Sequence, residues 1–435
     1  MTDVALVSTI LIGGMVLLML TGVSVSISIA LPSAICMVLI LGSLNGLQFS
    51  AQRSIAGMNS FALLAIPFFV LAGVLMNNGG IARRLVNLAK VMVGWAPAPL
   101  AQTSVFANVL FSSVSGSAVA TAAAVGSTMA PMQREDGYDP AFSAAANVAS
   151  APCGFLIPPS NLLIIYALAS GGTSIGALFM AGYIPGLLWG AACMVVVYFY
   201  ARRHPELKSS QLAKFSDFVH AFIQAFPSLL MLVIVIGGII FGYFTPTEAA
   251  VTAVLYSAML GMIYRELRIR ELPRIMLEAA RTASIVMFLI GVSNIMSYVM
   301  SYTKIPTLIA ESLFGWTDSK VVVLLIMMVV LLIIGIPLDS TPAILIFTPI
   351  FLPLAQSYGV HPVHFGIMLV FNLSLAVISP PSAPVLFVGA QVAKARLESV
   401  IVKLIPFFLT LTGLLFAVVF IPQLSLWLPG VMGLI

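Results

Sequence analysis

Residues 320–359 read KVVVLLIMMVVLLIIGIPLDSTPAILIFTPIFLPLAQSYG, and residues 98–137 read APLAQTSVFANVLFSSVSGSAVATAAAVGSTMAPMQREDG. The first stretch opens on Val321–Ile336, a run without a single polar residue. A barrel strand alternates polar and apolar side chains, so the run predicts a helix in hydrocarbon, with its backbone groups paired internally. It stops at Gly335-Ile336-Pro337-Leu338-Asp339-Ser340-Thr341-Pro342. Proline removes an N–H and breaks the helical ladder. Carbonyls freed inside a membrane are costly unless something binds them. The second stretch has the same plan, with its interruption at Phe111-Ser112-Ser113-Val114-Ser115-Gly116-Ser117-Ala118.

The likeness extends outward. Shifted by 222 residues, the two halves align without a gap: Pro131 falls on Pro353, Gly137 on Gly359, Pro140 on Pro362, and Pro158-Pro159-Ser160 on Pro380-Pro381-Ser382. Each half therefore holds two interruptions, the later ones being Gly154–Asn161 and Ala376–Ser382. Paired breaks in corresponding halves point to a transporter binding site. Carbonyl and hydroxyl oxygens suit a hard cation such as Na⁺, and helix N-termini offer N–H groups to an anion. Proline-kinked packing helices are the alternative, with the serines as small residues that let helices approach.

Composition agrees with a membrane setting. Of 435 residues, 61% are hydrophobic and 8% charged, and mean hydropathy is +1.13. A soluble domain is about 45–50% apolar and about 25% charged, so a soluble enzyme is excluded, as are disordered and fibrous proteins. The length accommodates roughly ten to fourteen membrane segments. Met1-Thr2-Asp3 lacks a basic n-region, so the first apolar segment is expected to be a retained helix. Nine of the 19 Lys and Arg residues fall between 202 and 281, in two clusters, Arg202–Lys214 and Arg265–Arg281. Both are expected to be cytoplasmic, and the two apolar segments between them return the chain to that side. The net charge of +5 thus marks loops and no nucleic-acid surface. The basic stretch 264–282 is expected to lie along the inner membrane surface, a solvated loop being the alternative.

Two acids lie in deep apolar context, Glu248 and Asp339. An ionisable group there is a functional candidate by default. Asp339 stands at a break, where it could bind a cation or orient the site. Glu248 follows Thr-Pro-Thr and reads as a partner of a helix N-terminus. Cys36, Cys153 and Cys193 have no metal or redox spacing and read as packing residues. No cluster of His, Asp and Glu suggests catalytic residues or a metal other than sodium.

These residues also carry a resemblance. The stretches Leu64-Ala65-Ile66-Pro67-Phe68-Phe69-Val70-Leu71-Ala72-Gly73, Ser115-Gly116-Ser117-Ala118-Val119-Ala120, Ile157-Pro158-Pro159-Ser160, Leu178–Gly182, Pro185-Gly186 and Thr245-Pro246-Thr247-Glu248-Ala249 occur in an order and spacing that cover nearly the whole chain. The chain resembles the large membrane subunit, of M or DctM type, of tripartite ATP-independent periplasmic (TRAP) transporters. The resemblance implies an all-α polytopic membrane protein of elevator type, with two inverted repeats, discontinuous helices and two re-entrant hairpins. It implies a single permease over 1–435, with transport-domain repeats at 98–200 and 320–400 and scaffold helices plus the basic segment over 202–282. A bacterial inner-membrane location is implied, with three partners: a small four-helix membrane subunit, a periplasmic substrate-binding protein and an organic-acid substrate. Membrane lipid surrounds the chain. Uptake would be driven by Na⁺, and C4-dicarboxylates, sialic acid, keto acids and sugar acids are the substrate classes. A stand-alone ion–organic acid symporter is the alternative.

Carried over by motif, one Na⁺ would sit among Ser112, Ser115, Gly154, Ile157 and Pro159. A second would use Gly335, Ala376, Ser379 and Ser382. Ser117, Asn161 and Asp339 fall to the substrate side. Two positions depart from the family pattern. Thr121 stands where many relatives have Asp. Ser379-Pro380-Pro381-Ser382 replaces a Thr-Pro-Pro run followed by Gly, keeping a hydroxyl at its first position.

Overall fold

The computed structural model describes residues 4–59, 61–205, 207, 214–304, 319–336, 338–380 and 383–435. Among these residues the chain is helical, without a strand. Helices α1 (Val4–Ser8) and α2 (Gly14–Leu20) are joined by a π-helical turn, and α3 (Val25–Leu41) and α4 (Ser43–Met58) follow. Next come α5 (Ala65–Asn78) and α6 (Ile81–Val93), bent by 70° at Gly79-Gly80. The first repeated half contains α7 (Pro99–Ser115), α8 (Ala118–Glu135), α9 (Pro140–Ser150), α10 (Asn161–Ala169) and α11 (Ile175–Arg203). After α12 (Phe215–Ile240), α13 (Pro246–Ile263) and α14 (Leu272–Thr303), the second half contains α15 (Lys320–Gly335), α16 (Ser340–Ser357), α17 (Pro362–Ala376), α18 (Pro384–Ala393) and α19 (Leu397–Phe420). The terminal α20 spans Gln423–Val431.

The 222-residue shift seen in the sequence carries onto the helix bounds. It maps both ends of α8 onto both ends of α16, and the starts of α9 and α11 onto those of α17 and α19. The physical causes repeat as well. Pro140 and Pro362 open their helices at the first position, where a missing N–H costs nothing. Gly137 and Gly359 both adopt positive φ, at 79° and 70°, in the preceding turn.

Among the described residues six helices are long and apolar enough to cross a membrane, or seven if the bent α5–α6 pair is one span. This is fewer than the apolar segments suggested. The breaks divide several of them into pieces shorter than a bilayer, α15, α17 and α18 among them. Residues 272–282 form the opening turns of the 32-residue helix α14, which runs on unbroken into an apolar part.

Burial separates two kinds of helix. Every residue of α9 after Pro140, and of α17 after Pro362, is buried. By contrast α12 and α19 expose Val233, Val402 and Leu409 by more than 60%. Water would penalise such faces by about 25 cal/mol per Å²; a bilayer does not. The protein is a multi-pass membrane protein.

Each half folds back on itself near a break. At the open end of the α7–α8 pair, Gln133 Nε2 donates to the Leu100 carbonyl at 3.1 Å, and the Leu100 N–H donates to the Tyr138 hydroxyl at 3.3 Å. At the open end of the α15–α16 pair, Lys320 Nζ donates to the Gly359 carbonyl at 3.4 Å. Glu248 has the role its position suggested. Its carboxylate accepts from the Thr245 N–H at 2.7 Å while Thr245 Oγ1 accepts from the Glu248 N–H, a reciprocal cap at the start of α13.

Candidate functional site

The first break is built by a glycine and two serines. Gly116, at φ 63°, ends α7, and its N–H donates to the Ser112 carbonyl at 2.9 Å. Ser117 then starts α8 by accepting from the Ala120 N–H. Across from it, α9 ends in a 3₁₀ turn over Ala151–Phe155, and the chain passes through a cis Pro158–Pro159 bond to Ser160. Ser160 caps α10 by accepting from the Leu163 N–H, and its own hydroxyl donates to the Phe155 carbonyl.

These pieces bring Ser115, Gly116, Pro159 and Asn161 to one small cavity of about 10 Å³, walled by Phe69 and Met231 among others. That is room for about one water-sized particle. Ser115 is 5% exposed, and its hydroxyl is buried with no hydrogen-bond partner. A buried hydroxyl left unpaired costs about 1–3 kcal/mol, so its position needs a reason. An ion liganded by oxygen supplies one. The backbone closes tightly here: a Cβ on Gly73 of α5 would lie 2.7 Å from the Ser115 carbonyl oxygen.

The remaining residues of the first set lie near but are differently engaged. Ser112 touches Gly154, yet its hydroxyl pairs with the Cys153 sulfur at 3.0 Å. The Ile157 side chain turns away to pack on Gly186 of α11. Ser117 is spent on its cap. Of the five expected ligands, Ser115 and Pro159 reach the cavity, and Asn161, assigned to the substrate side, joins them.

At the second break the structure brings Gly335 and Ala376 into contact: a Cβ on Gly335 would lie 2.9 Å from that of Ala376. Ser379 is buried, and its hydroxyl donates to the Leu375 carbonyl at 2.9 Å. Asp339 occupies the position that Ser117 holds in the first half. Its Oδ1 accepts from the Ser340 N–H at 2.8 Å and opens α16. The Ser340 hydroxyl beside it is buried and unpartnered. Ser382 lies outside the described residues, as do Pro337 and Pro381.

Two asparagines behind the first break were not singled out from the sequence. Asn108 Nδ2 donates to Ser150 Oγ at 2.7 Å and to Asn147 Oδ1 at 2.9 Å, and Asn147 Nδ2 donates to the Ala122 carbonyl at 2.8 Å. The network ties α7, α8 and α9 together. In the second half Asn372, which the shift maps onto Ser150, donates to the Met328 carbonyl at 2.9 Å and ties α17 to α15. An amide in an apolar helix is the signal that marks these residues. Thr121, noted for its departure from the family pattern, is buried with an unpartnered hydroxyl.

The solved structure of the Alcanivorax borkumensis YdaH transporter superimposes with a TM-score of 0.69, covering 91% of this chain and 96% of that one at 16% identity, which shows a shared fold. An uncharacterized Salmonella typhimurium protein, YgiK, is 48% identical over 97% of this chain and 96% of its own length. The 2,3-diketo-L-gulonate TRAP transporter large permease protein YiaN of Escherichia coli is 38% identical over 93% of this chain and 96% of its own. The family of the tripartite ATP-independent periplasmic transporter DctM component matches residues 12–424, and with relatives of that identity over nearly its whole length the chain belongs to this family of large transporter permeases.

Proposed function

We propose that this chain is the large permease of a Na⁺-coupled, three-part importer of an organic acid in a bacterial inner membrane. The observation that carries this reading is the buried, unpartnered Ser115 hydroxyl in an ion-sized cavity at a duplicated break. Hydroxyl and carbonyl oxygens suit a hard cation. The N-terminus of α10 opens at the same cavity, at Asn161, and offers N–H groups to an anion. Holding cation and anion together lowers the cost of taking either out of water. That is the physical basis of coupling: each site is worth most when the other is filled. The joined open ends of the α7–α8 and α15–α16 pairs support two re-entrant hairpins. The repeat supports an elevator in which the hairpins and broken helices over 98–200 and 320–400 carry the solute as one body. Ser112, Gly154, Ile157 and Pro159 are proposed to complete the Ser115 site, largely through backbone carbonyls. Gly335, Ala376 and Ser379, with Ser382, are proposed for a second Na⁺.

The family is named for a tripartite system. The proposed partners are a small four-helix subunit and a periplasmic binding protein that delivers the solute. Sugar and keto acids like that of the 38%-identical diketogulonate permease are the first substrates to test. The experiment is uptake into proteoliposomes holding this chain and its small partner, with an inward Na⁺ gradient and labelled organic acids, with and without the binding protein. Uptake that needs both Na⁺ and the binding protein is expected. Uptake indifferent to the binding protein would identify a stand-alone symporter, and uptake indifferent to Na⁺ would remove the ion sites.

A further inference from the structure

Two neighbouring cavities of ≈410 and ≈400 Å³ share Ala169, Gly171, Ser297 and Pro349, so they form one continuous groove. One wall comes from α14 and α4, outside the repeats. The other comes from the end of α10 and from α16, inside them. For a protein so apolar the lining is unusual. Ser293, Asn294, Ser297, Thr348 and Gln356 place hydroxyls and amides along it, and Lys304 stands at one end. Ser293 and Thr348 are 4% and 0% exposed, and neither hydroxyl has a hydrogen-bond partner. Those two lie behind its surface. Asn294 and Ser297 are half-buried and Ser301, Lys304 and Gln356 exposed, and these are the polar groups that the groove presents to a visitor.

The groove has a direction. The basic clusters at Arg202–Arg203 and Arg265–Arg274 put the end of α11 and the start of α14 on the cytoplasmic side. Helix α14 then crosses, and Lys304, its left-handed C-cap at φ 55°, emerges at the outer face. From Lys304 the groove runs inward along α14 past Ser301 and Ser297 to Ser293 and Ile290. Its far wall is α16, the helix that Asp339 caps, and the C-terminal end of α10, the helix that Asn161 opens. Asn161 lies eight residues, about 12 Å of helix, from Ala169. The groove thus connects the outer face to the two helices that start at the breaks. Lys304 has no carboxylate partner among the described residues, and no other Lys or Arg lines the groove.

We infer that this groove is the outer vestibule through which a hydroxyl-bearing organic anion reaches the broken helices, with Lys304 as the cation at its mouth and the Ser297 hydroxyl and Asn294 amide as its inner polar lining. The inference rests on the importer reading above, and its test does not depend on uptake. Single cysteines are introduced at Ser297 and, as a control at the mouth, at Ser301. The native cysteines are all buried and leave a low background. Intact cells are treated with two thiol reagents of equal reach, a methanethiosulfonate bearing a sulfonate and one bearing a trimethylammonium group. Ser297→Cys is expected to react from outside, faster with the anionic reagent. Adding Lys304→Gln is expected to reduce that preference severalfold while leaving Ser297→Cys reactive. An unreactive Ser297→Cys beside a normally labelled Ser301→Cys would overturn the vestibule. A charge preference unchanged by Lys304→Gln would overturn the role of Lys304. Either result would stand whether or not Na⁺-driven uptake is found.

Discussion

Gly154 lies against Ser112 so closely that a Cβ at position 154 would sit 2.4 Å from both the Cβ and the carbonyl oxygen of Ser112. That carbonyl also accepts the Gly116 N–H that ends α7. The two breaks of the first half therefore meet at one backbone contact. Gly154→Ala must push backbone apart, and overpacking of this kind costs about 1–3 kcal/mol. The expected result is a melting temperature several degrees lower in detergent and a severe loss of uptake. An unchanged melting curve would mean that the contact is looser than the geometry requires.

Ser115→Ala separates an ion-binding role from a packing one. The hydroxyl has no protein partner, so its removal should leave the Na⁺-free protein as stable as before or slightly more so. Sodium stabilises the folded state by an amount that grows with the logarithm of its affinity. The variant is expected to lose much of its sodium-induced rise in melting temperature and to need about tenfold more Na⁺ for half-maximal uptake, a change of about 1.4 kcal/mol. Ser379→Ala is expected to be milder, because that hydroxyl is already occupied by the Leu375 carbonyl. Wild-type sodium titrations for Ser115→Ala would end the assignment.

Asn108 makes the opposite prediction. Its amide holds Ser150 and Asn147 in a buried network. Removing it strands polar partners, each at about 1–3 kcal/mol. Asn108→Ala is expected to lower thermal stability markedly with or without sodium. A variant as stable as the wild type would show that the network is dispensable.

The repeat was legible because glycine and proline act on the backbone and keep their meaning at any burial. Pro140, Pro362, Gly137 and Gly359 predicted helix starts and turns that the structure places in register. The number of plain spans was less legible. Hydropathy reports which residues prefer hydrocarbon, not whether a helix is long enough to cross it, and α15, α17 and α18 are apolar but short. Side-chain engagement was the least legible. Ser112, Ser115 and Ser379 look alike in sequence. Their hydroxyls meet respectively a cysteine sulfur, a cavity and a carbonyl in the last turn of the preceding helix, which only the packing decides.

Asp339 can be tested without disturbing its helix. Aspartate and asparagine cap helices about equally well, so Asp339→Asn keeps the bond to the Ser340 N–H and removes only the charge. Expression and melting temperature should stay close to wild type. Uptake should fall severalfold if the carboxylate serves the ion or the solute. Asp339→Ala loses the cap too, at about 0.5–2 kcal/mol, and should lose stability as well. Full uptake by the Asn variant would make the residue a cap alone.

Gly73 tests whether the cavity itself, rather than one hydroxyl, binds the ion. It belongs to α5, outside both repeats, and offers no ligand of its own. Its missing side chain lets α5 press within 2.7 Å, measured to where a Cβ would be, of the Ser115 carbonyl oxygen. Phe69 and Met76 of the same helix wall the cavity. A methyl group at position 73 would have to displace α5 or the end of α7, by several tenths of an ångström at least. Oxygen ligands around a small hard cation are held to distances defined within a few tenths of an ångström, so a shift of that size is enough to weaken binding. Gly73→Ala is therefore expected to raise the sodium concentration needed for half-maximal uptake although the Ser115 hydroxyl is intact. Gly389→Ala is the matched control. It places a methyl group 2.2 Å from a γ-methyl of the buried Val148, away from the cavity. If both variants lose stability but only Gly73→Ala loses sodium affinity, the close approach of α5 to Ser115 is part of the ion site. Equal sodium affinity in the two would confine the site to α7 and α10.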